Sequence, residues 1–250
     1  MCGIFGEFGV RLTEKKVFNK ILDLSKRRGP DMKGYYKNKS IQFGFNRLSI
    51  LDISANGNQP FISPSGRYIL ICNGEVINYR FLKSRLNLTE KSLKSKSDIE
   101  IIAHALDFWG FEKTIKLLRG MFALAVFDNQ YQELYLARDP AGIKPLYCGK
   151  TRKGFIFSSQ YDQIFKHPWF SDDKRVNVNA VSDYLKLGYI PHPNALFNKS
   201  YMIGPGEYFK INKKFVHKII NYFNYYETDK YEESSNESYI EFDEILSGLI

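Results

Sequence analysis

Cys2 carries in one residue the two groups a self-contained nucleophile needs once the initiator methionine is trimmed: a thiol and a free α-amine. A small second residue such as cysteine permits that trimming. The amine has a reference pKa of about 7.7–8.0 and the thiol about 8.5, so near neutral pH the amine can accept the thiol's proton. The segment Cys2-Gly3-Ile4-Phe5-Gly6 reads as a strand flanked by glycines, which would carry the terminus into a core and leave a substrate room to approach. A cysteine in second place means little alone, so the rest of the chain must decide.

Further chemistry-bearing residues follow in order. Arg28-Gly29-Pro30-Asp31 is a turn rich in breakers, and Arg47-Leu48-Ser49-Ile50-Leu51-Asp52 follows a strand, with Asn58-Gln59-Pro60 behind it. Asn73-Gly74-Glu75 ends an apolar run, Ser97-Asp98 opens a helix, and Arg138-Asp139-Pro140-Ala141-Gly142-Ile143-Lys144-Pro145-Leu146-Tyr147 closes a hairpin. The Asn73 amide and the Gly74 N–H suit a developing oxyanion, because glycine allows the close approach and unusual dihedrals such a turn requires. Arg47 can fork to a carboxylate, and Glu75 and Asp98 can take an ammonium. Asp98, at a helix start, also fits a plain N-cap. Asp31 and Asp139 lie in turns and read as structural. His104 and His167 sit among apolar positions with no partner cluster visible, and read as core or surface histidines.

These residues need elements to position them. Residues 41–45, 68–72, 121–127, 134–137 and 154–158 read as strands, the second ending abruptly at Asn73-Gly74 and the third and fourth pairing as a hairpin. Helical patterns cover 14–27, 79–86, 98–109 and 111–118. Hairpin-linked strands with helices between them predict mixed α and β structure with largely antiparallel sheets. Residues 227–238 turn to Glu, Ser, Asn and Lys and read as a linker, and 239–250 begins an amphipathic helix.

In this order and spacing the motifs resemble the class II glutamine amidotransferase domain of asparagine synthetase type, over roughly residues 2–211. The resemblance implies an α+β fold, the four-layer αββα sandwich of N-terminal nucleophile hydrolases with two antiparallel sheets. It implies hydrolysis of L-glutamine to glutamate and ammonia through a γ-glutamyl thioester on Cys2. It implies catalytic roles for Cys2, Asn73 and Gly74, and substrate binding by Arg47, Asn73, Gly74, Glu75, Asp98 and backbone groups of Leu48, Ile50 and Leu51. No metal or cofactor is expected in this domain. ATP and Mg are expected only in a C-terminal synthetase domain in cis, whose Ser-Gly-Gly-x-Asp-Ser loop is not found in these 250 residues. Residues 212–250 are accordingly expected to hold a linker and the start of that domain, so the chain looks like the glutaminase half of a longer protein.

Two departures from the family pattern stand out. Val76-Ile77-Asn78 replaces the usual Ile-Tyr-Asn, removing an aromatic ring, and Ser158-Ser159-Gln160 ends in Gln where the family has Glu. Residues 185–191 and 204–206 match the asparagine synthetase branch. Two alternatives stay open: the same chemistry serving an amino sugar or surface-polysaccharide acceptor, and a non-catalytic docking module.

Composition narrows the setting. With 250 residues and 44% hydrophobic content, the chain can bury a sizeable core in one large domain or a domain plus a fragment. It has no apolar run long enough to span a membrane and no visible signal peptide. Three cysteines without a CxxC pair favour reduced thiols and a cytoplasmic protein. The net charge is +9, but residues 1–226 hold 35 basic and 19 acidic residues, against one lysine and eight carboxylates beyond. The basic residues are scattered, which argues for a lysine-rich surface and against nucleic acid as a partner. The resemblance leaves a homodimer open.

Overall fold

The computed structural model describes residues 1–171 and 174–224. Its frame is two six-stranded sheets whose pairings are all antiparallel. The first runs β10 (Ser200–Met202), β8 (Tyr147–Thr151), β9 (Gly154–Ser158), β1 (Gly3–Gly9), β3 (Ile41–Arg47), β2 (Met32–Lys37). The second runs β12 (His217–Asn221), β11 (Glu207–Ile211), β7 (Glu133–Arg138), β6 (Gly120–Asp128), β5 (Tyr68–Val76), β4 (Phe61–Ile62). The second sheet thus continues past position 211, where the sequence suggested a boundary.

Strand alternation builds four layers from this frame. Ile4 and Phe8 of β1, Phe43 and Phe45 of β3, Ile69 and Ile71 of β5, and Ala123, Ala125 and Phe127 of β6 meet between the sheets. The opposite faces pack on helices. Phe5 of β1 lies against Phe18 and Leu22 of α1 (Lys15–Leu22), and Ile156 of β9 against Ile164 of α5 (Tyr161–Phe165). Leu70 and Cys72 of β5 pack with Leu82 of α2 (Tyr79–Arg85), Ile102 and Leu106 of α3 (Asp98–Trp109), and Ile115 of α4 (Phe111–Leu117). This is the α+β sandwich the resemblance implied.

Some sequence expectations shift. The helix read over 14–27 is α-helical only to Leu22, then tightens into a 3₁₀ turn over Asp23–Arg28 that ends at Gly29. β5 does not stop at Asn73-Gly74: its ladder with β6 is unbroken from Tyr68↔Asp128 to Val76↔Gly120. Sheet context overrides the local breaker signal here, because Gly74 can hold φ +153 within the ladder. β2, β4, β8, β10, β11, β12, α5 and α6 (Val178–Leu187) carried no assignment from sequence. The linker read at 227–238 and the helix read at 239–250 lie outside the described residues. Among the described residues, no helix is long and apolar enough to cross a membrane.

Candidate active site

The parity that fills the core also assembles the site. Cys2 continues the inward series of Ile4 and Phe8, Arg47 that of Phe43 and Phe45, Asn73 and Glu75 that of Ile69 and Ile71, and Met121 that of Ala123 and Ala125. Where the apolar core ends, these residues line a cavity of about 150 Å³ together with Met1, Leu48, Ile50, Leu51, Asp52, Gly57, Gln59, Gly74, Ser97, Asp98 and Lys144. All nine site residues expected from sequence fall in one place.

The Cys2 thiol sits between the two backbone groups of Leu48, whose N–H lies 3.4 Å and carbonyl oxygen 3.6 Å from Sγ. Burial pushes its pKa up, and the Leu48 contact, the terminal ammonium, Arg47 and Arg28 only partly oppose this. The thiol is therefore no standing thiolate at neutral pH and needs a base beside it. Arg28 donates from Nε to the Cys2 carbonyl at 3.1 Å. On the far side of β1, Ile4 exchanges backbone and side-chain hydrogen bonds with Ser159, fixing the strand that delivers Cys2. Gln160, the departure beside it, takes the N-cap position of α5, and its amide reaches Asp162 at 3.2 Å.

Asn73 is 1% exposed, and its Nδ2 has no hydrogen-bond partner among the described residues. Buried donors are rarely left unpaired, so this one signals a ligand or a strained site. The strand beneath it is held in place: Gln59 accepts from the Cys72 N–H at 2.6 Å and donates to the Cys72 carbonyl at 3.2 Å. A Cβ at Gly74 would lie 2.0 Å from the Met121 carbonyl oxygen, so the close pairing itself demands glycine.

Arg47 is 5% exposed. Its Nη1 donates to the Ser54 carbonyl at 2.7 Å and its Nη2 to the Asp52 carbonyl. Gly57 leaves space for it, since a Cβ there would stand 2.5 Å from Nη2. Asp52 is itself fixed by the N–H groups of Ser54 and Lys96, both at 2.8 Å. The guanidinium is thus oriented by carbonyls, and among the described residues it has no carboxylate ion-pair partner. That is a suitable state for a cation meant to fork to a ligand carboxylate. Arg47→Lys is expected to raise the KM of a free amino-acid substrate at least tenfold, because a point charge cannot reproduce the planar contact. Alkylation of Cys2 by a small reagent should barely change. An unaltered KM would make Arg47 structural.

The N-cap alternative for Asp98 is resolved. Ser97 is the cap, accepting from the Ile99 N–H, while Asp98 in the first turn accepts from the Val76 N–H at 2.7 Å. Burial, helped by neighbouring Glu75 and opposed by the Val76 bond, pushes the Asp98 carboxyl up to about 6. Val76, the first departure from the family pattern, faces the helix side, and Ile77 is exposed.

The turn residues have structural work to do. Asp31 accepts from the Ser49 N–H at 2.7 Å, and buried Asp139 accepts from the N–H groups of Phe122, Ile143 and Lys144. His167 is fully buried away from the cavity and does have partners. Its Nδ1 accepts from the Trp169 N–H at 3.1 Å, so Nε2 carries the proton donated to Glu7 at 2.8 Å. Glu7 also accepts from Gln42 and Thr13, and the bonds from His167 and Thr13 hold its carboxyl below its usual pKa despite burial. His104 is partly exposed on α3. Sequence reasoning missed Gly57, Gln59 as a strand clamp, Met121 and Lys144. Gln59 and Lys144 lay within motifs of the sequence and Met121 opened a strand read from it, but none of these signals gave the residue's place in the site.

The sandwich, with a cysteine at the head of an inner strand, defines the class of N-terminal nucleophile hydrolase folds. Two solved structures share it. Glutamine phosphoribosylpyrophosphate amidotransferase of B. subtilis, complexed with ADP and GMP, superposes with a TM-score of 0.63 at 19% identity, over 89% of this chain and 49% of that one. A structure of the allosteric regulatory enzyme of purine biosynthesis gives 0.61 at 17% identity. The family model described as "Glutamine amidotransferase domain" matches residues 1–224. Asparagine synthetase [glutamine-hydrolyzing] 1 of Bacillus subtilis is 31% identical over 84% of this chain and 33% of its own length. A putative asparagine synthetase [glutamine-hydrolyzing] 2 of Methanocaldococcus jannaschii is 32% identical over 81% of this chain and 42% of its own. The chain belongs to the glutamine amidotransferase family, as an enzyme domain of class II and of the asparagine synthetase type. It spans about a third to two fifths of the length of these relatives.

Proposed function

We propose that this domain hydrolyses L-glutamine to glutamate and ammonia, and that the ammonia serves ATP-dependent amidation of aspartate by a synthetase domain in cis. The observation that carries the reading is the orphaned Asn73 Nδ2, buried in the same cavity as Cys2, Arg47 and Asp98. Removal of Met1 frees the Cys2 α-amine, which takes the thiol proton. The thiolate attacks the γ-carbonyl carbon, and the oxygen's developing charge is met by Asn73 Nδ2 and the Gly74 N–H. The C–N bond then breaks, the nitrogen leaves as ammonia with the proton returned by the amine, and a γ-glutamyl thioester remains. Water, deprotonated by the same amine, cleaves the thioester and restores the thiol. Arg47 holds the substrate's α-carboxylate, and Asp98 with Glu75 its α-ammonium.

The relatives' greater length and their names support a synthetase partner. ATP and Mg belong to that part of the proposal, and no step above uses them. The three unpaired cysteines support a cytoplasmic setting. The test is an assay of the chain freed of Met1: glutamate and ammonia should appear in equal amounts without ATP. No glutamate from a sample with Cys2 confirmed free would overturn the reading in favour of a docking module.

The raised Asp98 carboxyl gives a pH signature. Its ionised form binds the ammonium, so affinity is full above about 6 and falls as the pH drops through that value. Calorimetric titration of a Cys2→Ser variant, which binds without turnover, should show glutamine affinity weakening about tenfold per unit below that point. Asp98→Asn keeps an acceptor for the Val76 N–H, and in the same background should bind weakly with little pH dependence. A pH-dependent affinity that survives in Asp98→Asn would assign the titration elsewhere.

A further inference from the structure

Sheet order puts a cation on each flank of Cys2. β1 pairs on one side with β3, which ends in Arg47, and on the other with β9. β8 lies beyond β9, and Lys144 sits in the turn just ahead of its first residue, Tyr147. A ligand held by its α-carboxylate at Arg47 and reacting at Cys2 therefore directs its γ end towards the Lys144 flank.

Lys144 is half-buried and lines the same cavity as Cys2, Asn73 and Met121. Its backbone is tightly held. The N–H donates to Asp139 at 3.0 Å and the carbonyl accepts from Arg138 Nε at 2.9 Å. Arg138 also bonds the Gly142 and Ile203 carbonyls, and both Arg138 and Asp139 are buried. Two buried charged side chains thus fix the turn that presents this lysine. Asp139 is engaged by backbone N–H groups, and among the described residues no carboxylate forms an ion pair with the Lys144 ammonium.

Charge balance gives this cation a role. Three carboxylates line the cavity, Asp52, Glu75 and Asp98, against two side-chain cations, Arg47 and Lys144, so with a zwitterionic ligand bound the lining keeps one excess negative charge. The tetrahedral oxyanion, or the γ-carboxylate of product glutamate, adds another at the γ end. We infer that Lys144 is the charge-stabilising residue of the γ subsite, favouring negative charge on the reacting group while affecting the neutral γ-amide little. This rests on the glutaminase reading above.

The full chain freed of Met1 serves as the test, with Lys144→Met and Lys144→Arg beside it. The Met variant should lose about tenfold in kcat and bind glutamate about tenfold more weakly, with glutamine KM within about twofold of wild type. The Arg variant should restore kcat and glutamate affinity, and matching thermal midpoints would confirm intact folding. Unchanged kcat and glutamate affinity in Lys144→Met, or equal weakening of both ligands, would overturn the inference. A wild type that neither turns over glutamine nor binds glutamate would overturn the glutaminase reading itself, and this inference with it.

Discussion

Protein that retains Met1 is expected to turn over no glutamine, and the rate of a mixed preparation should scale with the fraction of chains beginning at Cys2. The reason lies in the thiol's surroundings. Burial holds the Cys2 thiol protonated, and the opposing charges of the terminus, Arg47 and Arg28 do not cancel that effect. His167, buried against Glu7, does not line the cavity, and neither does His104. In the mechanism proposed above the proton goes to the α-amine, which is a peptide nitrogen and no base while Met1 is attached. A well-placed general base contributes about 10²–10⁴-fold, so the loss should approach complete inactivation. Met1 is 55% exposed at the cavity, accessible to a processing aminopeptidase. Intact-mass analysis paired with a glutamate assay decides the matter. Normal turnover from a fully Met1-retaining sample would remove the N-terminal amine from the mechanism.

How much of this was legible beforehand depends on how local each signal is. The inner strands could be read because apolar runs such as 68–72 and 121–127 have few alternatives in a chain of this composition. The cluster Cys2, Arg47, Asn73, Gly74, Glu75 and Asp98 could be read because its members lie in short motifs of fixed order. What escaped were effects set by partners distant in sequence. Asn73-Gly74 looks like a strand end, yet the ladder runs through it because β6 offers its backbone at a spacing only glycine tolerates. Gln59 reads as a loop polar residue, and only the fold shows it clamping Cys72. The Glu7–His167 pair spans 160 residues and could not be seen from either end. Lys144 lay inside the Arg138 to Tyr147 motif, but its place in the cavity with Cys2 depends on β9 pairing with both β1 and β8.

Asn73→Leu is expected to cut kcat for glutamine by about 10²–10³ with little change in KM, the cost of losing one directed oxyanion donor. The same substitution should leave thermal stability unchanged or raise it. Asn73 is 1% exposed with Nδ2 unpaired, so the resting protein bears the desolvation of an NH₂ donor that makes no bond there. Replacing it by a side chain of similar volume removes that burden, worth about 1–3 kcal/mol for an unsatisfied buried group. The opposite signs separate the two explanations for a buried asparagine at this position. If Asn73 served the fold, stability and activity would fall together. If it serves the oxyanion, activity falls while stability holds or rises, because a donor waiting for charge that exists only in the transition state is a liability until then. Chemical denaturation and steady-state kinetics on the same preparation measure both. A kcat within about threefold of wild type would place the oxyanion elsewhere and leave the unpaired amide unexplained.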